Sequence, residues 1–196
     1  MLQLMPLFPL HTVLFPGGLL PLRIFETRYI DMVRAALRND TPFGVVLLKQ
    51  GSEVLSDEPG QPAAEFHRLG CTARIVDTDL APDGMLHILC RGEQRFAADA
   101  VERAPDGLWR GQCTPLDAAA VCPTDSQLQR MQRLLSKLSS EDDPLHDTAA
   151  FEDPVWLIYR LIERLPIKLA DRQRVLAADR LDLTLKHLSA MMAAFE

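Results

Sequence analysis

The sequence predicts an α+β fold: a bent antiparallel sheet or barrel with one inserted helix over residues 1–117, then a helical bundle over residues 118–196. Three observations predict it. Short apolar runs between residues 43 and 116 are separated by turn signals such as Ala81-Pro82-Asp83-Gly84 and Pro105-Asp106-Gly107, the pattern of successive short strands. Within that first part only residues 27–38 have helical spacing. After Pro123 the apolar residues recur three and four apart, which is the period of amphipathic helices.

The elements follow in order. His11 to Phe15 is an apolar run that stops at the turn Pro16-Gly17-Gly18. Leu19 to Phe25 is a second run, and Pro21 assigns it to an edge because proline donates no ladder hydrogen bond. The same reasoning places Pro6 and Pro9 on an edge. Thr27 to Arg38 reads as a helix with Tyr29, Ile30, Val33 and Leu37 inward and Arg28, Asp31, Arg34 and Arg38 toward water. Phe43 to Leu48 is continuously apolar, as in a strand buried on both faces. Gln50 to Pro62 is a loop. Four strands then follow, at Arg68–Val76, Met85–Cys90, Gln94–Val101 and Leu108–Leu116, the middle two divided by a turn at Arg91-Gly92-Glu93. Phe25, Ile30, Val33, Val45, Leu47, Ile75, Ile88 and Phe96 are the expected core.

In the helical part, Thr124 and Gln127 fit a capping box ahead of the stripe Leu128, Met131, Leu135, Leu138. Ser139 to Ala149 is a polar loop. Asp153-Pro154 opens a second helix, Asp as cap and Pro at the first position, with Val155, Ile158, Leu161, Ile162 and Leu165 inward. A short helix near residues 171–178 and a last one near 180–195 complete the chain, the latter with Leu181, Leu185, Leu188 and Met192 on one face.

Composition limits function. The 196 residues are 47% apolar and 24% charged, which excludes a disordered or collagen-like chain. With 21 basic and 27 acidic residues the net charge is −6, which argues against a nucleic-acid partner. Neither part is basic: residues 1–117 carry 11 basic and 15 acidic residues, and residues 118–196 carry 10 and 12. Cys71, Cys90, Cys113 and Cys122 form no C-x-x-C pair, so they read as buried free thiols. Met1 to Leu22 lacks a basic leader and is broken by Pro6, Pro9, Pro16 and Pro21, unlike a signal peptide. No apolar run is long enough to span a membrane, so a cytoplasmic location is expected. The five histidines show no metal-ligand spacing, and carboxylate pairs such as Asp57-Glu58 and Asp142-Asp143 read as solvated loop residues. No P-loop, G-x-S-x-G, S-x-x-K or H-E-x-x-H occurs. The expectation is a non-enzymatic protein with no metal and no cofactor.

Several motifs carry a family resemblance. Leu4-Met5-Pro6-Leu7-Phe8-Pro9-Leu10, Val13-Leu14-Phe15-Pro16-Gly17 and Leu20-Pro21-Leu22-Arg23-Ile24-Phe25-Glu26-Thr27-Arg28-Tyr29 open the chain. Phe43-Gly44-Val45-Val46-Leu47, Leu69-Gly70-Cys71-Thr72-Ala73-Arg74-Ile75 and Gly92-x-x-Arg95-Phe96 follow in order. Leu165-Pro166-Ile167, Arg172-Gln173-Arg174-Val175-Leu176 and Arg180-Leu181 stand near the end. Together these resemble the N-terminal, substrate-binding domain of Lon proteases over nearly the whole chain. Lys168 departs from the resemblance, because the family often has Asp or Ser at that helix start and lysine cannot accept the free N–H bonds there. The ATPase and the Ser-Lys proteolytic regions of a full Lon protease have no counterpart, so the expectation is a stand-alone domain.

The resemblance implies a PUA-type barrel beside a helical bundle. It also implies a module that binds unfolded or extended polypeptide, with service as an adaptor in protein quality control. RNA binding, by analogy with other PUA-like folds, is the alternative, and the charge count opposes it. The expected peptide-binding patch is Pro6, Phe8, Pro9, Phe15, Leu19 and Leu20, an uncharged segment that prolines keep from full sheet pairing. Arg23, Phe25, Glu26, Arg28 and Tyr29 read as structural: Glu26 as helix cap, Arg23 or Arg28 as partners of acids or loop carbonyls. Gly92, Arg95 and Phe96 read as a turn glycine, a fixing arginine and a core aromatic.

Overall fold

Alternating side chains along six strands build two apolar cores in the first part of the chain. The computed structural model describes residues 3–51, 64–81, 85–139 and 150–193. The expected loops at 50–62, 81–84 and 139–149, with Asp57-Glu58 and Asp142-Asp143, fall mostly or wholly outside the described residues. The chain divides into two units, Met1–Leu116 and Asp117–Glu196.

The first unit contains β1 (Gln3–Leu10), β2 (Leu19–Ile24), α1 (Thr27–Asn39), β3 (Phe43–Gln50), β4 (Glu65–Leu80), β5 (Leu86–Arg103) and β6 (Trp109–Pro115). The strand order is β2-β5-β4-β3-β1-β6, and β5 also pairs with β6. Strands β5, β4, β3, β1 and β6 therefore close into a ring, with β2 added on β5. Most pairs are antiparallel, but β1 and β3 are parallel, which corrects the expectation of a wholly antiparallel sheet. A parallel pair needs a long crossover, and β2 with α1 supplies it.

Pro6 and Pro9, expected on an edge from their missing donors, instead sit in β1, which lies between β3 and β6. The strand is staggered. Gln3 to Leu7 pairs with β6, and Leu7 to Leu10 pairs with β3. Each proline thus lies in a half-strand with one neighbour, where a missing N–H can face the unpaired side. The run His11–Phe15 follows the strand rather than forming one.

Three strands, not four, follow residue 64. β5 runs unbroken through Gly92, so the expected turn there is absent. The first half of β5 pairs with β2 and its second half with β6. The inward series Phe96, Ala98 stops before Ala100, which adopts a left-handed φ of 42° beside the register shift between Asp99 and Glu102. A bulge there turns the following side chains to the other face.

Alternation along β1 and β3 feeds two cores. Phe8, Leu10, Phe43 and Val45 pack with Tyr29, Met32 and Val33 of α1. Met5, Leu7 and Val46 pack with Phe66, Phe96 and Cys113. The expected core residues Val33, Val45, Leu47, Ile88 and Phe96 are buried, whereas Ile30 and Ile75 are half-buried. Phe25 is not core at all, with 57% of its surface exposed. Arg28 is buried instead of facing water. Cys122 is exposed, unlike the other three free cysteines.

The second unit contains α2 (Asp125–Leu138), a 3-10 turn at Ala150–Glu152, α3 (Pro154–Arg164), α4 (Leu169–Ala177) and α5 (Asp182–Ala193). Thr124 and Gln127 form the expected capping box. Asp153 Oδ1 accepts from the Val155 and Trp156 N–H groups ahead of Pro154. Lys168 caps α4 with no side-chain bond. Ile158, Leu161, Ile162, Leu181, Leu185 and Leu188 are buried, and Leu138, expected inward, is exposed.

Candidate functional site: the pocket beside Phe25

In β2 the alternation puts Leu20, Leu22 and Ile24 against the core under α1. Leu19, Pro21 and Arg23 then point the other way, by the two-residue period of a strand. Phe25 continues that outward set, which is why it is exposed although it is a large apolar residue. The period of Leu19–Phe25 carried this signal, and counting apolar residues alone concealed it.

Beside Phe25 lies a pocket of about 180 Å³, floored by Phe8, Leu10, Leu22 and Tyr29 and rimmed by Pro21, Arg23 and Glu26. Phe8 stacks on Tyr29 with ring centroids 3.9 Å apart. Small-molecule sites usually measure about 300–1,000 Å³, so this pocket is smaller than those.

The expected patch is redistributed. Phe8, Pro9 and Phe15 are buried and cannot form an accessible surface. Phe8 packs on Tyr29 of α1 and Phe43 of β3, and Phe15 lies against Gly92 of β5. Pro6, Leu19 and Leu20 are half-buried, and Leu20 packs on the core. Of the six, only Phe8 lines the pocket. Pro21 and Leu22 are lining residues that sequence reasoning passed over.

Glu26 does not cap α1 through its carboxylate. It instead pairs with Arg28, Oε2 to guanidinium 3.0 Å. Arg28 also donates to the Gly107 carbonyl at 2.9 Å and lies 4.3 Å from the centre of the Tyr29 ring. The start of α1 is thereby tied to the turn between β5 and β6. In that turn Asp106 accepts from Leu108 N–H and pairs with Arg110. The Leu108 N–H, followed by Arg110, holds the Asp106 carboxyl below its ordinary range. Arg23 is exposed at the pocket rim.

The other signature is structural. A Cβ on Gly44 or Gly70 would meet the Phe96 ring, so these glycines give room to a core aromatic. Arg95 is buried, and its carbonyl accepts from Leu116 N–H. Burial pushes the Cys90 thiol up to about 12 and the Cys113 thiol up to about 11, so both stay protonated and poorly nucleophilic at neutral pH. Among the described residues no group of three or more His, Cys, Asp or Glu side chains could hold a metal ion. No described helix is long and apolar enough to cross a membrane.

The model of the ATP-dependent protease La (LON) substrate-binding domain matches residues 4–194. The chain belongs to the LON substrate-binding domain family. Among its relatives, the Lon protease of Phenylobacterium zucineum is 28% identical over 94% of this chain and 24% of its own length. The Lon protease of Escherichia coli K12 is 26% identical over 95% of this chain and 24% of its own length. This LON-family chain thus spans about a quarter of the length of those relatives. A crystal structure of a Lon N-terminal domain protein from Xanthomonas campestris is 30% identical, covers 96% of this chain and 98% of its own, and superposes with a TM-score of 0.72. The N-terminal domain of a Mycobacterium avium complex Lon protease shares the fold at 18% identity, covering 97% of this chain and 98% of its own, with a TM-score of 0.62.

Proposed function

We propose that this chain is a non-catalytic protein-binding module for extended or unfolded polypeptide segments, with an apolar side chain of the bound segment seated in the pocket beside Phe25. The observation that carries the reading is an aromatic ring with 57% of its surface exposed at the mouth of an apolar pocket, in a chain of a substrate-binding family. Burying one such ring is worth about 1.5–3 kcal/mol, and ordering a flexible segment opposes part of that. Affinity through this pocket alone is therefore micromolar or weaker, with little sequence preference. A role as an adaptor in protein quality control belongs to the same proposal. Charge weighs against the RNA alternative, because residues 1–117 are net −4 and residues 118–196 net −2, whereas phosphate binding needs clustered cations.

The test is Phe25→Ser against wild type, binding a fluorescently labelled, permanently unfolded reporter protein. The expected result is about a tenfold loss of affinity, the equivalent of one buried ring, with an unchanged melting temperature. Equal binding by the folded variant sinks the proposal. Phe8→Ser serves as the opposite control, since Phe8 is buried and its loss lowers the melting temperature itself.

A further inference from the structure

The second unit holds a larger concavity. Its apolar wall is Leu134, Leu138, Leu165 and Met192, and the volume is about 470 Å³. Three cations, Arg130, Arg133 and Lys137, complete the lining, and no described carboxylate lines it. Two of them, Arg133 and Lys137, are exposed. Among the described residues neither is held in an ion pair; Arg160–Glu163, Arg174–Asp171 and Arg180–Asp182 are pairs elsewhere in the unit. Among the described residues the lining of the groove is therefore cationic, within residues 118–196 that are net negative.

The spacing explains the shape. Residues 130, 133, 134, 137 and 138 follow the i, i+3, i+4, i+7, i+8 rule for one helix face. α2 thus carries two stripes. Met131 and Leu135 are buried in the unit, and the adjacent stripe, including the exposed Leu138, lines the groove. From residue 130 to 138 the helix rises about 12 Å at 1.5 Å per residue, or roughly two turns.

We infer that this groove docks an acidic amphipathic helix of a partner protein: the exposed Arg133 and Lys137 face carboxylates on its flank, and Leu134 and Leu138 receive its apolar stripe above the buried Leu165 and Met192. Helix-in-groove recognition uses i, i+3, i+4 and i+7 anchors, and the cations stand at matching intervals along α2. Complementary charge sets orientation and rejects basic segments. The site lies wholly in the second unit and is independent of the Phe25 pocket.

The experiment uses the full chain and fluorescence anisotropy. The probe is a labelled synthetic helix with leucines at i, i+3, i+4 and i+7 and glutamates elsewhere; a second probe replaces every glutamate with lysine. The glutamate probe should bind at least about tenfold more tightly than the lysine probe, and more weakly as salt rises. Arg133→Glu with Lys137→Glu should weaken it by about tenfold or more, as should Leu138→Ser, with melting temperatures unchanged. Arg133→Gln with Lys137→Gln gives a milder loss and guards against misfolding of the reversal variant. Phe25→Ser should leave this binding untouched, so failure here and failure of the Phe25 reading are separable. Equal binding of both probes, no binding of either, or insensitivity to the α2 substitutions overturns the inference. Vesicles of anionic lipid bound more tightly than the glutamate probe, and released by the same substitutions, would also overturn it, in favour of a membrane surface.

Discussion

The backbone carbonyl of Phe15 fills the space that a Cβ on Gly92 would need. Two hydrogen bonds fasten the same junction: Gly17 N–H donates to the Gly92 carbonyl at 2.7 Å, and Gly92 N–H donates to the Gly18 carbonyl at 2.8 Å. The Pro16-Gly17-Gly18 turn therefore clips onto the middle of β5. Two motifs more than seventy residues apart in sequence are one contact in space, and the glycine serves close approach rather than a turn.

Gly92→Ala should accordingly be costly. The obstructing atoms are backbone, which cannot swing aside as a side chain can. A loss of about 3 kcal/mol is expected, the upper range of overpacking. Gly17, with φ 75°, should cost only about 1–2 kcal/mol on substitution by alanine, the ordinary left-handed penalty. Urea unfolding of both variants checks the ranking, and equal losses would contradict it.

The same residues show what the sequence could and could not disclose. Helix boundaries were legible because caps act locally: Thr124 with Gln127, and Asp153 with Pro154, mark their helices unaided. The double-faced burial of Phe43–Leu48 was legible from its unbroken apolar run. Gly92 was not, because a glycine between Arg91 and Glu93 has the local composition of a turn, and only Phe15 brought from elsewhere reveals its role. The parallel pairing of β1 with β3 likewise depends on the path of the chain through α1. Phe8 and Phe25 exchanged places for a related reason. Prolines suggested that β1 was an edge, whereas its stagger gives each proline a single neighbour, and Phe25 follows the outward period of β2. The α2 groove was hidden because Leu138 fits the core stripe and the groove stripe equally well by spacing.

Arg28 gives a second prediction. Its guanidinium meets Glu26 and the Gly107 carbonyl, with both side chains largely shielded from water. Arg28→Ala removes a charge partner from Glu26 and a donor from Gly107, and should cost about 3 kcal/mol. Arg28→Lys keeps the charge but lacks the fork needed to reach both groups, so it should recover only part of that loss. Thermal unfolding distinguishes the pair; identical melting temperatures for the two variants would refute the two-pronged role.

Asp106 sets a pH dependence in the turn that Arg28 grips. Its folded-state carboxyl lies below the ordinary range because Leu108 N–H and Arg110 favour the charged form. The stabilisation is thus complete above the unfolded value of about 3.9 and is lost as pH falls through the lower folded value. The carboxylate is exposed, so the effect is small, about 0.5 kcal/mol. Asp106→Asn keeps an acceptor for Leu108 but not the charge. Its deficit against wild type should be measurable by urea unfolding at pH 7 and should shrink as pH falls below the unfolded value of about 3.9. A deficit that grows on acidification would carry the wrong sign.

Lys168 offers a gain rather than a loss. It has the extended conformation of a helix cap, φ −61° and ψ 145°, yet makes no side-chain cap bond. Thr124 and Asp153 show what an acceptor does at the equivalent place in α2 and α3. The free N–H groups at the start of α4 are stabilised by a short oxygen-bearing side chain, typically by about 1 kcal/mol. Serine is the better choice than aspartate, because Asp171 stands three residues on and a second carboxylate beside it would repel. Lys168→Ser should therefore raise the stability of α4 by about 0.5–1 kcal/mol. It should also slow hydrogen exchange at the amide of Ala170, since the Asp171 N–H already donates to the Lys168 carbonyl at 3.0 Å. Lys168→Ala separates capping from the mere removal of a cation near the positive end of the helix. If alanine protects that amide as well as serine does, the benefit is electrostatic and the missing cap bond is not the cause.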